Sequence, residues 1–394
     1  MNNILILGSK CFYHPDASGV CCKNLQDYFE RINVNVFVLG YSYETNIDSI
    51  KKNEHVFFYR KNNKKKIFFD SIKRCSKPNI DTKLVQVYYE NACKIIDEEN
   101  INCVVAIYFS LEAMEVLRLL KNKYPKLITI AYEVDSAIDY LSYEGGRLKR
   151  QYTNAQIRYL KKIYKNIDYI LLLNSHIKHH NKVFSKYQYK TKVIGAPFLI
   201  DEIEDCRHNK KTIDFLYVGY LNKDNYSPQP IFDLFESNKD KINWRMHFIS
   251  RGNCEDLIEE YSKKDNRIIQ HGYIDFSEVK KMISLFDVMI SIEYKDKPSS
   301  IPAKVFNYFS SCKPIIHFYG GGYDFFVKNY IETYPLGLAI KNDEIINSST
   351  VINDFIDNSI KITLNYDSIK EKYIINTPQY SVDLILNILD ENKE

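Results

Sequence analysis

Twelve short apolar runs, each the length of a β-strand, recur along the chain with helix-length stretches between most of them. The first six are NILIL (from residue 3), VNVFVL (34), HVFFY (55), CVVAIYF (103), LITIAY (127) and YILLL (169). A second six follow: IDFLYV (213), WRMHFI (244), RIIQH (267), DVMISI (287), PIIHF (314) and GLAI (337). Strands that alternate with helices predict an α/β chain whose sheets are parallel and covered on both faces. Two such series in 394 residues, too many for one average core, predict two Rossmann-like domains.

The boundary between them falls in APFLIDEIEDCRHNKKT, which carries a proline and a dense set of charges but no strand or helix period after Ile200. The expected organisation is a first domain over 1–196, a linker over 197–212, and a second domain over 213–376. The tail breaks at Pro378 and resumes as an amphipathic helix over 377–394, free to pack back on the first domain.

No apolar run approaches the roughly 18 residues of a membrane span. The start, MNNILILGSK, has no basic leader and reads as a first strand and not as a signal peptide. Nine scattered cysteines without a Cys-x-x-Cys pair are the usage of a reducing cytoplasm. Charge is uneven: residues 1–200 hold 31 Lys and Arg against 19 Asp and Glu, while the remainder holds 23 against 31. A basic first half suits an anionic partner, either a phosphorylated acceptor or an anionic membrane surface. No nucleic-acid-binding motif accompanies it, so nucleic acid is not expected as a partner.

Open parallel sheets bind ligands beyond the carboxyl ends of their strands, which makes the loops there the places to look. After NILILG a long loop leads to a helix beginning near Gly19, without a G-x-G-x-x-G pattern. After LITIAY come Glu133 and Asp135, which alternate and cannot share a face of an extended chain. Either suits general-base work, against a competing reading of helix capping by Asp135 or Ser136. In the second series Gly219 ends one strand, Arg251-Gly252 the next and His271-Gly272 the third. The stretch KPSSIPAKVFNYFSSCKPIIHF then predicts a helix opening near Ser300, with Ser300, Lys304, Asn307 and Ser311 as a polar stripe. Its free amides, dipole and lysine suit a phosphate. Read alone, the same pattern describes a capped surface helix with a solvated stripe, the commoner use of such a sequence. His176, His179 and His180 lie at helical spacing but among lysines that repel a cation, and no Asp-x-Asp occurs, so no metal site is expected.

Three segments together resemble the donor domain of GT-B glycosyltransferases, in particular the large retaining group called family 4. They are IDFLYVGYL (213–221), IIQHGYIDFSEVKKMISLFDVMISI (268–292) and PSSIPAKVFNYFSSCKPIIHF (298–318). The resemblance implies two Rossmann-like domains whose parallel sheets face one another across a cleft. It implies that Ser299, Ser300 and Lys304 take the diphosphate of a nucleotide-sugar donor, with Gly219 beside them. His271, Gly272 and Tyr273 would hold the base, and Arg251 would reach phosphate or sugar. Gly19 would face the donor from the first domain, and Glu133 or Asp135 would stand where some inverting relatives place a base and many retaining ones a histidine. Asn307 replaces the family's ribose-binding glutamate, with one acceptor in place of two and no charge. Cys312 replaces the usual glycine before Lys-Pro, and Tyr220 stands where an arginine is common, with Lys223 as its substitute.

The expected function is transfer of a sugar from a nucleotide-sugar to a glycan or lipid-linked acceptor, in surface polysaccharide biosynthesis. It needs no metal and no cofactor, and retention of configuration is favoured. The expected location is cytoplasmic, with docking on the inner face of the membrane. The alternatives are a noncatalytic GT-B partner subunit and a nucleotide-sugar epimerase.

Overall fold

The computed structural model of the chain describes residues 2–8, 17–43, 51–60, 80–107, 110–134, 149–207, 211–272, 274, 276–293, 301–320 and 326–392. They divide into two compact units, Met1–Phe198 with Ile375–Glu394, and Leu199–Ile374.

Among the described residues the first unit holds seven strands: β1 (Asn3–Leu7), β2 (Asn35–Ser42), β3 (Glu54–Phe58), β4 (Cys103–Ile107), β5 (Ile128–Glu133), β6 (Tyr169–Leu173) and β7 (Thr191–Ile194). They lie in the order β3-β2-β1-β4-β5-β6-β7, every pair parallel. All residues of β4 and all but the first of β1 are buried, the signature of central strands covered on both faces. Every apolar run from the sequence is a strand. The one strand absent from that series is β7, a four-residue edge strand whose Val193 is exposed; it lacks an apolar run because only one side of it is packed.

The last helix, Pro378–Glu391, belongs to this unit and packs on the helix Ala17–Arg31. Hydrogen bonds fasten the return of the chain: the amide of Gly195 donates to the carbonyl of Ile375 (2.9 Å), and that of Ala196 to Oδ1 of Asn376 (3.1 Å). Thr377 caps the helix by accepting from the Tyr380 amide, and the hydroxyls of Ser381 and Tyr132 meet at 2.8 Å in the interior.

The second unit holds β8 (Ile213–Leu221), β9 (Trp244–Gly252), β10 (Ile268–Gln270), β11 (Val288–Ile292), β12 (Ile315–Tyr319) and β13 (Gly337–Lys341). Their order is β10-β9-β8-β11-β12-β13, again parallel throughout. The order reverses direction between β8 and β11, and a crevice opens at such a point because the flanking connections leave to opposite faces.

The helix Ala303–Ser310 lies beside that point. It begins later than the predicted start near Ser300, because Pro302 stays extended (φ −64°, ψ 132°) and occupies the N-cap position without a side-chain cap. Two members of its stripe turn inward: Asn307 and Ser311 are buried, and the Ser311 hydroxyl donates to the carbonyl of Tyr308 (2.7 Å). After the helix the chain turns at Cys312 with φ 54°, the left-handed conformation that suits glycine. Holding an L-residue there costs about 1–2 kcal/mol, partly offset by the larger chain entropy glycine loses on folding. Cys312→Gly is therefore expected to stabilise the protein by at most ~1 kcal/mol, read as a higher denaturant midpoint. A lower midpoint would mean that the packing of the thiol outweighs the backbone.

The next residue, Lys313, is buried, and its ammonium donates to the carbonyls of Ile283, Ser284 and Phe286 (2.9, 2.6 and 2.7 Å). These carbonyls lie at and just past the end of the helix Phe276–Leu285, where Ile283 also accepts from the Phe286 amide (3.4 Å) and Ser284 from the Cys206 amide (3.0 Å), so the lysine adds a donor to each at a helix terminus inside the core.

Candidate active site

At the switch point of the second sheet, Gly219 adopts φ 127° near the end of β8. A Cβ there would stand 3.6 Å from Nζ of Lys304, so the glycine keeps the backbone open beside that lysine. Lys304 is the second residue of Ala303–Ser310, a helix tied to β8 by the amide of Val218 donating to the Tyr308 hydroxyl (3.0 Å). The lysine stem is partly exposed, but its Nζ is buried and makes no hydrogen bond. It sits 3.8 Å from the ring centroid of Tyr217 and 4.8 Å from that of Tyr226. Burial disfavours the ammonium strongly, with the charge of Glu293 working the other way.

Glu293 follows β11 directly and is buried, its Oε2 3.0 Å from Nε2 of His317; the other ring nitrogen of His317 is 3.1 Å from the Ser291 hydroxyl. Sequence reasoning did not single out this row. Its trace is the pair Ser291 and Glu293 at alternating positions where an apolar strand ends, with a histidine inside the next apolar run.

Two strands from β8, His271 and Gly272 follow β10. His271 is exposed and meets His247 of β9 edge to edge, ring centroids 5.1 Å apart, with its Nε2 2.8 Å from Nδ1 of His247. Gly272 has φ 73°, and a Cβ there would meet no atom within 4 Å. Arg251 lies exposed near the end of β9, and Lys223 forms an ion pair with Asp256 (2.9 Å). Tyr273, Ser299 and Ser300 lie outside the described residues.

In the first unit Gly19 is buried in the first turn of Ala17–Arg31, and Asp135 lies outside the described residues. Glu133 ends β5, is 1 % exposed, and accepts a hydrogen bond from the Tyr164 hydroxyl. Burial pushes its carboxyl up to about 7, with the bond from Tyr164 as a smaller opposing effect. That range suits proton transfer near neutrality. It also carries a stability consequence. The contribution of Glu133 is complete below its ordinary value of 4.5 and is lost as pH rises through about 7, because the folded state then holds a buried charge. The thermal midpoint is expected to fall across that window in the wild type and to stay flatter there in Glu133→Gln; equal slopes would show that the carboxyl is not the titrating group.

His176 and His180 are buried nearby on the same unit, their imidazoles pushed down to about 3 and about 4, chiefly by burial, so they stand neutral. Among the described residues no group of three or more His, Cys, Asp or Glu is arranged to hold a metal ion.

No family model and no curated protein matches the chain. Solved structures do. The lipopolysaccharide outer core galactosyltransferase WaaB superposes with a TM-score of 0.57 at 16% identity over 96% of this chain and 96% of that one. WaaG, a glycosyltransferase involved in lipopolysaccharide biosynthesis, gives 0.60 at 11% identity over 97% and 99%. A trehalose-6-phosphate protein from E. coli bound with UDP-2-fluoro glucose gives 0.64 at 9% identity over 98% and 99%. The chain has the GT-B fold. At this identity the likeness concerns the fold, and the chemistry of the GT-B chain has to be argued from its own residues.

Proposed function

We propose that the protein is a glycosyltransferase that takes its sugar from a nucleotide-sugar bound on the second unit. The observation that carries this reading is the buried, unbonded Nζ of Lys304 beside Gly219 at the switch point. A buried amine held without a hydrogen bond lowers stability unless an anion completes it, and a diphosphate supplies oxygens for both the lysine and the amides at the start of its helix. As the sugar departs, charge builds on the diphosphate, where Lys304 stabilises it. With that cation in place the reaction needs no metal, and Ser299 and Ser300 are the further donor ligands in this reading. Arg251 and the turn at His271–Tyr273 serve the phosphate or sugar and the base, and Asn307 stands at the ribose.

The acceptor belongs to the first unit, with Glu133, or Asp135 beside it, as the proton acceptor for the attacking hydroxyl and Gly19 near the donor. Retention of configuration is the favoured course. From Lys149 to Phe198 the chain carries eleven Lys and Arg and a single acid, Asp168, which is paired with Lys121 (2.8 Å). Arg158, Lys161, Lys162, Lys165, Lys178 and Lys182 are exposed. This supports an acceptor with negative charge, such as a lipid-linked glycan, reached from the anionic inner face of a membrane; no helix among the described residues is long and apolar enough to cross one. Surface polysaccharide biosynthesis is the setting that such an acceptor fits.

The purified chain incubated with a panel of nucleotide-sugars tests the proposal. Slow release of nucleoside diphosphate and free sugar is expected from one of them. An altered sugar still attached to its nucleotide would make it an epimerase, and binding without turnover a noncatalytic partner subunit, the reading that Asn307 in place of a glutamate favours. No binding of any nucleotide-sugar would overturn the proposal.

A further inference from the structure

His271 is the outermost member of a polar row that crosses three strands. Asp214, at the start of β8, forms a bidentate ion pair with Arg245 of β9 (2.8 and 3.0 Å). Its Oδ1 also lies 3.5 Å from Nε2 of His247, too long for a hydrogen bond but close enough to act on the ring. A carboxylate only accepts, so it repels a lone pair on Nε2 and favours a proton there. In the neutral form of His247 that proton is its only one, which leaves Nδ1 as an acceptor. The nitrogen facing that acceptor at 2.8 Å, Nε2 of His271, must then be the donor. The remaining ring nitrogen of His271, Nδ1, is left bare on an exposed residue. The rings are nearly parallel, at 13°, and Phe286 packs edge-on against His247 (4.7 Å), so the row is braced from the helix side.

The position of the row supplies its use. β10 lies two strands from β8, about 10 Å from the switch point at ordinary strand spacing. A nucleotide whose phosphates lie at Gly219 and Lys304 reaches that far to its base. Gly272, next in the chain, adds no side chain of its own there. We propose that His271 offers Nδ1 as a fixed acceptor to the donor's nucleobase, selecting bases with a ring N–H on the pairing edge (uracil, thymine, guanine) over those with a lone pair there (cytosine, adenine). His271 is the specificity-determining residue, and His247 and Asp214 are positioning residues that set its tautomer. The inference deepens the nucleotide-sugar reading and depends on it.

Binding of uridine against cytidine diphosphate, and of guanosine against adenosine diphosphate, measured by calorimetry on the full chain, tests it. The wild type is expected to favour the N–H base about tenfold in whichever size class it binds, the value of one hydrogen bond plus the repulsion of two lone pairs. His271→Phe, which keeps a flat ring without an acceptor, should level the pair. His247→Phe should reduce the preference, and His247→Asn, which restores an acceptor near the Nδ1 position, should recover it. Long-range proton–nitrogen NMR of the ligand-free protein should show the proton of His271 on Nε2. Equal binding of both bases, a preference for cytidine or adenosine, or a proton on Nδ1 of His271 would overturn the inference while leaving nucleotide binding intact. Absence of any nucleotide binding would overturn the glycosyltransferase reading together with it.

Discussion

Lys304→Met is expected to weaken nucleoside diphosphate binding about 10- to 100-fold, the worth of a hydrogen bond to a charged group, while leaving the protein at least as stable as the wild type. The two effects have one origin. Nζ of Lys304 is buried against the ring faces of Tyr217 and Tyr226 with no hydrogen bond, so a methionine stem of similar length keeps the packing and removes a polar group whose hydrogen bonds are unmade. A lysine kept only for structure would behave in the opposite way, since its loss would lower stability.

Proton linkage separates the cases further. Burial pushes the ammonium of Lys304 well down, and an arriving diphosphate favours the charged form again. Binding should therefore take up protons, measurable by calorimetry in buffers of different ionisation enthalpy, and Lys304→Met should abolish the uptake. Unchanged affinity in the variant would remove Lys304 from the site.

Glu133→Gln is expected to lower turnover about 10²-fold with donor affinity nearly intact, since a base acts on the transition state and not on the bound donor. The lower end of the range for general acid–base catalysis applies because, under retention, oxygens of the leaving phosphate share the proton transfer. The carboxyl near 7 is poised for such work, yet it is buried under the Tyr164 hydroxyl. Tyr164→Phe accordingly provides a second reading: it removes the Tyr164 hydrogen bond that holds the carboxyl down, so the pH limit for activity should move upward. Near-normal turnover in Glu133→Gln, measured with the natural acceptor, would leave Asp135 as the candidate base of the pair, and its own amide variant would then decide.

Much of the fold was legible in the linear sequence, because strands buried on both faces must be apolar along their whole length and helices between them must be apolar on one side. NILIL, CVVAI and VMISI declare themselves in this way, and their alternation with helices implies parallel sheets. The edge strand Thr191–Ile194 does not, since an edge needs few apolar residues. The need for a left-handed turn at Cys312 was readable only against the family's glycine, since a cysteine carries no such signal by itself.

The site divides differently. Position along the chain was enough to single out Gly219, Lys304, His271 and Glu133, because the ends of strands and the mouths of helices are where such sheets bind. What each of these residues experiences was decided by residues far away in sequence. Tyr217 and Tyr226 strip water from the Lys304 amine, Tyr164 covers the Glu133 carboxyl, and Asp214 acts through His247 on the His271 ring. Residue type sets what a side chain can donate or accept, and local sequence sets where it is mounted. Its charge state and proton position depend on burial and on neighbours within a few ångströms, and the packing of strands distant in the chain brings these into place.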